Sequence, residues 1–290
     1  MAWLDSLVVI AYIALIFLLA WHAGRRASGG SKVVTAKGQY LADQSLTFTE
    51  SICSIIATEV SALTFLGIPA FAFNSNFGFL QIYIGAIIGR LVVALVFLPK
   101  IYGKGLTLYE VMDRQQNGTG RLAVASFYTC SKILSIGVRL FSGSILVGSF
   151  LGVNIYVGLF ATTFITFLYT LIGGLKAVVR TDILQMGLFI LGGLVAHYLI
   201  PEVAQMSWSD MMGTAHAAGK TTIFNFDQPW SVVAGLMGGI LFDMSTHGVD
   251  QDFAQRLMAN RSIKHAQQAI FFSSFISICV GALFLGVGAL

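Results

Sequence analysis

The sequence predicts an all-α fold, a polytopic bundle of transmembrane helices. Three observations predict it: the composition, the spacing of the apolar segments and the distribution of the basic residues. Of the 290 residues, 56% are apolar and only 10% are charged, and the mean hydropathy is +0.81. An ordinary soluble domain carries about 25% charged residues. So few charges cannot cover a water-soluble globule of this size, and we expect the bilayer to solvate much of the exterior.

Eight apolar segments approach the length of about 20 residues that a helix needs to cross a bilayer. They cover residues 3–22, 47–73, 77–98, 122–150, 154–173, 182–200, 229–249 and 269–290. The first is predicted to be a retained helix and not a signal peptide, because its start carries Asp5 where a signal peptide has basic residues, and its basic flank, Arg25 and Arg26, follows it. The last ends at Leu290 in apolar sequence without a basic flank, which predicts that the natural protein continues.

The basic residues are concentrated in alternate connections. Thirteen Lys and Arg residues lie in 22–46, 99–121, 174–181 and 250–268, whereas the intervening connections hold Lys220 alone. Basic connections remain on the cytoplasmic side. The pattern therefore predicts a multi-pass protein of the cell membrane, plasma or inner, with its N-terminus outside. Because the basic residues are dispersed and form no patch, the net charge of +4 does not indicate nucleic-acid binding.

The sequence contains no catalytic motif. H-E-x-x-H and G-x-S-x-G are absent, and Cys53, Cys130 and Cys279 lie in apolar stretches without metal-ligand spacing. The run GTAHAAGKT, Gly213–Thr221, has five residues between its glycines where a phosphate-binding loop has four. We predict that the protein is not an enzyme.

The second segment has a polar centre, which is unusual for a spanning helix. Glu59 lies mid-segment among Thr58, Ser61 and Thr64, and Pro69 follows and removes a backbone donor. Unwound carbonyls and short hydroxyls can replace the water shell of a hard cation. The pattern predicts an ion site at a helix break. The alternative is a kinked helix packed by small residues, with Glu59 paired structurally.

The fourth segment carries two cations on one helical face. Lys132, Ser135 and Arg139 follow one another at steps of three and four residues. Such a stripe indicates an anionic partner: Glu59, the carboxylate of a substrate, or a lipid headgroup. Snorkelling or pairing within the protein is the alternative, especially for Lys132. On this face rests the expectation of a carboxylate-bearing solute.

Further ionisable residues lie at membrane depth. Arg90 is inside the third segment, and Asp243 lies near Thr246 and His247 at the end of the seventh. Charges at this depth are costly and usually face a protein interior or an aqueous cavity. A histidine in such a position is more often satisfied by neighbours than it is a ligand or proton relay.

Three stretches resemble the sodium/solute symporter family, which includes sodium-coupled sugar, proline, pantothenate and sialic acid transporters. They are GGLKAVVRTDILQ (Gly173–Gln185), DQDFAQRLMANRSIKHAQQA (Asp250–Ala269) and IATEVSALTFLGIP (Ile56–Pro69). The first two are the more specific, and the resemblance covers the chain in order.

The resemblance implies an inverted repeat of five plus five helices, preceded by one extra helix. On that scheme, residues 3–22 form the extra helix, residues 47–200 the first repeat, and residues 229–290 the first two helices of the second repeat. The first core helix would start inside and the sixth outside, in agreement with the basic residues.

The resemblance also implies sodium as the coupling ion, in a symport of a small organic solute by alternating access. The family's sodium site uses carbonyls of the first core helix, here Ala57 and Val60, with hydroxyls of an eighth helix that the sequence lacks. Glu59 matches an acidic residue important for sodium coupling in the proline-transporting branch. Substrate contacts would come from the first, second, third and sixth core helices. The matching positions are Ser61, Thr64, Gln81, Ser135, Arg139, Thr246 and His247.

Two alternatives stay open. A transporter-like membrane domain could act as a sensor for an attached signalling domain, and a proton could replace sodium, since Glu59 can titrate. The sequence does not indicate which solute is carried or which oligomeric state is adopted.

Overall fold

The computed structural model describes residues 3–27, 35–105, 107–115, 121–226 and 231–290. Lys32, counted above among the cytoplasmic basic residues, lies outside the described residues, as do the first two residues of the predicted segment 229–249. The described residues form thirteen α-helices and no named strand. In chain order these are α1 (Trp3–Ala27), α2 (Ala36–Leu41), α3 (Phe48–Glu59), α4 (Ala62–Asn74), α5 (Leu80–Val92), α6 (Leu98–Ile101), α7 (Leu108–Gln115), α8 (Arg121–Leu151), α9 (Ile155–Ala204), α10 (Trp208–Ala217), α11 (Val232–Val249), α12 (Gln251–Met258) and α13 (Ile263–Ala289).

Several of these helices can cross a membrane. Within the described ranges, five helical stretches are long and apolar enough: Phe77–Ile101, Leu122–Leu151, Gly174–Ala204, Val232–Val249 and Ile263–Ala289. The pair α3 and α4, bent by 64°, makes a sixth if it counts as one span. Two further apolar helices, Leu7–Ala23 and Ile155–Leu171, are shorter. All eight predicted segments thus coincide with apolar helices, and the all-α, polytopic prediction is confirmed.

The predicted connection 174–181 is wrong in one respect. No loop separates the helices there; α9 runs from Ile155 to Ala204 and is broken only at Gly174, with φ 57° and ψ −160°. A side chain at Gly174 would also approach Gln39 Oε1 to 2.9 Å. Glycine is therefore required both by the backbone conformation and by the space, and Lys176 and Arg180 lie in the helix.

Helices α5 and α11 pack backbone against backbone. A Cβ atom at Gly85 would lie 2.2 Å from the Leu236 carbonyl oxygen, and one at Gly239 would lie 2.2 Å from the Ile82 carbonyl oxygen. Small residues allow this approach in membrane helices. The close packing brings Arg90 of α5 beside Asp243 of α11, so it positions the central charges of the site.

A buried apolar cluster fixes α3 on one side of the break. Ile55 and Ile56 of α3 pack with Leu257 of α12 and Ile270 of α13, and all four are at most 1% exposed. The last turn of α3, with Glu59, is thereby held against α13.

Candidate functional site

The second span breaks directly after Glu59. Val60 and Ser61 are extended, and α4 begins at Ala62. The Ser61 amide, which would donate to the Ala57 carbonyl in a continuous helix, donates to the Thr64 hydroxyl at 3.2 Å. The predicted break is therefore present. It lies eight residues before Pro69, which sits inside α4.

Arg90 is the ion-pair partner of Glu59, and sequence reasoning missed it. Arg90 Nη2 lies 2.8 Å from Glu59 Oε1, and Arg90 is 2% exposed. Its Nε lies 3.3 Å from both carboxylate oxygens of Asp243, and its Nη1 donates to Ser273 Oγ at 2.6 Å. One guanidinium therefore bridges the buried carboxylate of Asp243 and the partly buried carboxylate of Glu59.

His247 and Ser277 complete the surroundings of Glu59. His247 Nε2 lies 3.1 Å from Glu59 Oε1, and the Ser277 hydroxyl donates to Glu59 Oε2 at 2.6 Å. His247 Nδ1 lies 3.1 Å from Asp243 Oδ2. We call Glu59, Arg90, Asp243 and His247 the buried charge cluster. It joins α3, α5 and α11 at the break.

A cavity of about 440 Å³ opens beside this cluster. All four cluster residues line it, and so do Arg139 and the predicted contacts Thr64 and Thr246. Its remaining walls are mainly apolar. They include Leu63, Ile68, Phe71, Phe79, Ile82, Tyr83 and Phe242. The structure therefore brings together Glu59, Thr64, Arg139, Thr246 and His247 from the predicted set.

Arg139 differs from Arg90 in its partners. Its Nη1 donates to the Thr58 carbonyl at 3.5 Å, and within the described part of the chain it forms no ion pair. It is also exposed, at the wall of the cavity. A cation is thus available to an anion that enters there.

Lys132 does not share an anion with Arg139, contrary to the expectation from their common face. Its Nζ lies 2.6 Å from Asp250 Oδ2 and 2.7 Å from Asp252 Oδ2, where α11 leads into α12. Tyr128 donates to Asp250 Oδ1 at 3.1 Å. Pairing within the protein, the alternative interpretation, is what the structure has. Burial and these two aspartates raise the pKa of the neighbouring Tyr109 hydroxyl, so it stays protonated.

A second cavity, of about 350 Å³, lies at the break beside Ala57, Val60 and Ser61. Ala62, Phe65, Leu146, Gln185 and Phe189 form the rest of its wall. The two predicted carbonyl donors for sodium therefore adjoin this cavity. Ser61, predicted to contact substrate, lines this cavity and not the larger one.

Two predicted contacts line neither cavity. Gln81 is fully buried, and its Nε2 donates to the Gly78 carbonyl at 3.1 Å. Its side chain faces α11, where a Cβ atom at Gly235 would lie 2.7 Å from Gln81 Cβ. Ser135 is exposed on α8. The sequence position of Gln81 and Ser135 did not reveal how their helices are rotated, and this rotation directs both side chains away from the cavities.

A second buried charge pair joins the two most specific family-like stretches. Asp182 Oδ2 accepts from Ser54 Oγ at 2.5 Å and from Arg256 Nη2 at 3.3 Å, and Arg256 Nε donates to Ser54 Oγ at 2.8 Å. Asp182 and Arg256 come from those two stretches, and Ser54 lies on α3, five residues before Glu59.

Among the described residues no group of three or more His, Cys, Asp or Glu is arranged to hold a metal ion.

Comparison with known proteins gives one consistent result. A family model described as "Sodium:solute symporter family" matches residues 39–290. Human sodium-coupled monocarboxylate transporter 2 is 27% identical over 288 residues, which are 96% of this chain and 46% of that protein. The human sodium/iodide cotransporter is 29% identical over 76% of this chain and 35% of that protein. The sodium/glucose cotransporter of Vibrio parahaemolyticus is 24% identical over 97% of this chain and 53% of that protein.

A solved structure shows the same fold. It is the substrate-bound, outward-open state of a Na⁺-coupled sialic acid symporter, with a TM-score of 0.89 and 19% sequence identity. The match covers 99% of this chain and 61% of that one. This chain spans about half the length of the curated relatives that it matches. The predicted family and fold class are confirmed.

Proposed function

This chain belongs to the sodium:solute symporter family, and from that premise we propose that the protein is a sodium-coupled symporter of a small organic solute, working by alternating access. The observation that carries the proposal is the 64° break between α3 and α4, with one cavity at its backbone and a larger one beside its charged side chains. Broken helices at the bilayer midplane serve ion and solute sites in secondary transporters. The family is one of transporters, which are not enzymes. The apolar helices of this chain make it an integral, multi-pass membrane protein.

The larger cavity is the proposed solute site. Its volume of about 440 Å³ and its apolar walls suit a small organic molecule, with a few polar groups to orient it. Arg139 supplies the charge for a carboxylate, since the guanidinium of Arg90 is already bound by Glu59 and Asp243. A guanidinium matches a carboxylate in a two-point hydrogen bond. Relatives whose names specify monocarboxylates support this substrate class.

Sodium is proposed to bind at the second cavity. Hard cations prefer oxygen ligands, and the carbonyls of Ala57 and Val60 would provide two of them. The Ala57 carbonyl suits this task, because the amide that would bond it in a continuous helix is bonded to Thr64. When bound, sodium would supply the driving force: about 2.3 kcal/mol per 100 mV for each monovalent cation crossing the membrane potential, with its concentration gradient in addition.

Glu59 is proposed to contribute to coupling by position. Its carboxylate is bound by Arg90, His247 and Ser277, so it fixes the end of α3 against three other helices. Its own carbonyl accepts from the Thr64 hydroxyl at 3.4 Å. A movement of the cluster would therefore move the backbone between the two cavities.

The protein is proposed to lie in the cell membrane with its N-terminus outside. The thirteen basic residues in four alternate connections, against Lys220 in the others, support this orientation. An N-terminal tag should be detected by antibody on intact cells, and a tag in the connection 250–268 only after permeabilisation. The reverse pattern would contradict the orientation.

Uptake into proteoliposomes tests the function. The full-length protein is reconstituted and supplied with labelled monocarboxylates, a sugar and an amino acid, with sodium or choline outside. We expect uptake of a monocarboxylate in sodium only, and equal uptake in choline would contradict sodium coupling.

Arg139→Gln should reduce carboxylate uptake at least tenfold, whereas Lys264→Gln, which removes an exposed charge on α13, should not. Unchanged carboxylate uptake by Arg139→Gln would contradict the assignment of Arg139.

A further inference from the structure

His247 lies between two carboxylates in the buried charge cluster. Its side chain is 1% exposed, with Nε2 3.1 Å from Glu59 Oε1 and Nδ1 3.1 Å from Asp243 Oδ2. The Nε2 contact has hydrogen-bond geometry, whereas the Nδ1 contact has the distance of an ion pair without the angle of a hydrogen bond. Each ring nitrogen therefore lies close to an oxygen atom of a different carboxylate.

A neutral imidazole does not suit this position. It carries one N–H and one lone pair. The Nδ1–H tautomer would turn its Nε2 lone pair toward Glu59 Oε1, and the Nε2–H tautomer would leave Nδ1 without a proton 3.1 Å from Asp243 Oδ2. An imidazolium carries an N–H on both nitrogens and is attracted by both carboxylates. The geometry therefore favours the charged ring.

The count of charges leads to the same result. Glu59 and Asp243 contribute two negative charges, and Arg90 contributes one positive charge. A neutral His247 would leave one uncompensated negative charge in a buried site, which is costly. One proton on His247 brings the cluster to neutrality.

Arg139 is the further charged group that lines the cavity, but its Nη1 donates to the Thr58 carbonyl, and it forms no ion pair with Glu59 or Asp243. Arg90 repels an imidazolium, but the two carboxylates in contact with the ring outnumber it. Among the described residues, no further carboxylate or lysine contacts the cluster. The groups that face it from other elements are Tyr83 of α5, Arg139 of α8, Phe253 of α12, and Ser273 and Ser277 of α13.

We propose that Glu59, Arg90, Asp243 and His247 form a proton-binding site, in which His247 takes one proton from the water of the larger cavity and becomes the second cation of the cluster. All four residues line that cavity, so a path for the proton exists. The four side chains line the larger cavity, whereas Ala57 and Val60 line the other one. All the groups that bind the proton in this proposal belong to the protein itself.

The bound proton links α11 to the end of α3. When His247 loses it, one nitrogen lone pair faces a carboxylate, and the link at the break weakens. If the proposed symport holds, uptake should fall as the pH rises through the titration of His247. That consequence rests on the proposed function, whereas the charge on His247 does not.

Solid-state NMR of the full-length protein in lipid bilayers, with ¹⁵N-labelled histidine, tests the site directly. The ring nitrogen shifts distinguish imidazolium from neutral imidazole, and the signal missing in His247→Gln assigns the residue among the five histidines. At mildly alkaline pH, where an unperturbed histidine is neutral, we expect His247 to be charged. A neutral His247 under these conditions would overturn the proposal.

A second variant tests the cause of the charge within a folded protein that keeps the ring. Asp243→Asn removes one carboxylate, so Glu59 and Arg90 balance each other and His247 should become neutral at the same pH. Asp210→Asn, an exposed change on α10, should leave His247 charged. A charged His247 in Asp243→Asn would also contradict the proposal. Because the samples contain no solute or sodium, failure of the symport proposal would leave this result unaffected.

Discussion

Arg90 and Glu59 form a buried ion pair, with Nη2 2.8 Å from Oε1, that attaches the broken end of α3 to α5. Arg90 also holds Asp243 and Ser273, so one side chain links four helices: α3, α5, α11 and α13. Removing one member of a buried ion pair leaves an uncompensated charge, which costs more than the pair itself contributes.

Arg90→Gln should destabilise the protein strongly, because it leaves two carboxylates buried beside each other. We expect a loss of about 3–5 kcal/mol in the free energy of unfolding, measured by thermal or denaturant unfolding in detergent micelles. The double variant Arg90→Gln with Glu59→Gln should recover part of that loss. Additive effects of the two changes would contradict the ion pair, since independent sites add.

The close approach of α5 and α11 gives a test with a matched neighbour. Gly239→Ala places a Cβ atom against the Ile82 carbonyl oxygen, whereas a Cβ atom at Gly238 has nothing within 4 Å. The backbones must separate for Gly239→Ala, and we expect a loss of about 1–3 kcal/mol. Gly238→Ala should not lower the unfolding temperature. Equal behaviour of the two variants would show that the helices do not pack as described.

Lys132 should contribute a modest, salt-sensitive stabilisation between α8 and the beginning of α12. Its side chain is 17% exposed and that of Asp250 is 21% exposed, so water screens the pair in part. A double-mutant cycle of Lys132→Gln and Asp250→Asn should give a coupling of about 0.5–1 kcal/mol. Asparagine keeps the ability of residue 250 to cap α12. A coupling of zero at low salt would contradict the pairing.

The sequence allowed the membrane architecture to be predicted, because segment length and loop charge depend on the bilayer and not on tertiary contacts. It also indicated the break, since Glu59 and its polar neighbours are costly in an uninterrupted apolar helix. The exact position was not predictable from Pro69, because α4 continues through this proline to Asn74. Pro69 removes one backbone hydrogen bond without ending the helix.

The partners of the buried charges were not predictable from spacing. Lys132 and Arg139 share a face, but seven residues of helix separate them by about 10 Å along the axis. Lys132 therefore pairs with Asp250 at the end of α11, whereas Arg139 donates to the Thr58 carbonyl in the last turn of α3. A signal for the Glu59–Arg90–Asp243 contact did exist: three apolar segments carried charged residues of opposite sign at membrane depth. The rotation of each helix, which decides the pairing, follows from close packing such as that at Gly85.

The most direct test of sodium coupling is a pair of binding measurements on the purified full-length protein. One measures the Kd of a labelled monocarboxylate with and without sodium, and the other measures the Kd of ²²Na⁺ with and without that monocarboxylate. Linkage requires the two factors to be equal. We expect each ligand to tighten binding of the other by the same factor, about tenfold or more. A monocarboxylate Kd that is the same in sodium and in choline would contradict the account.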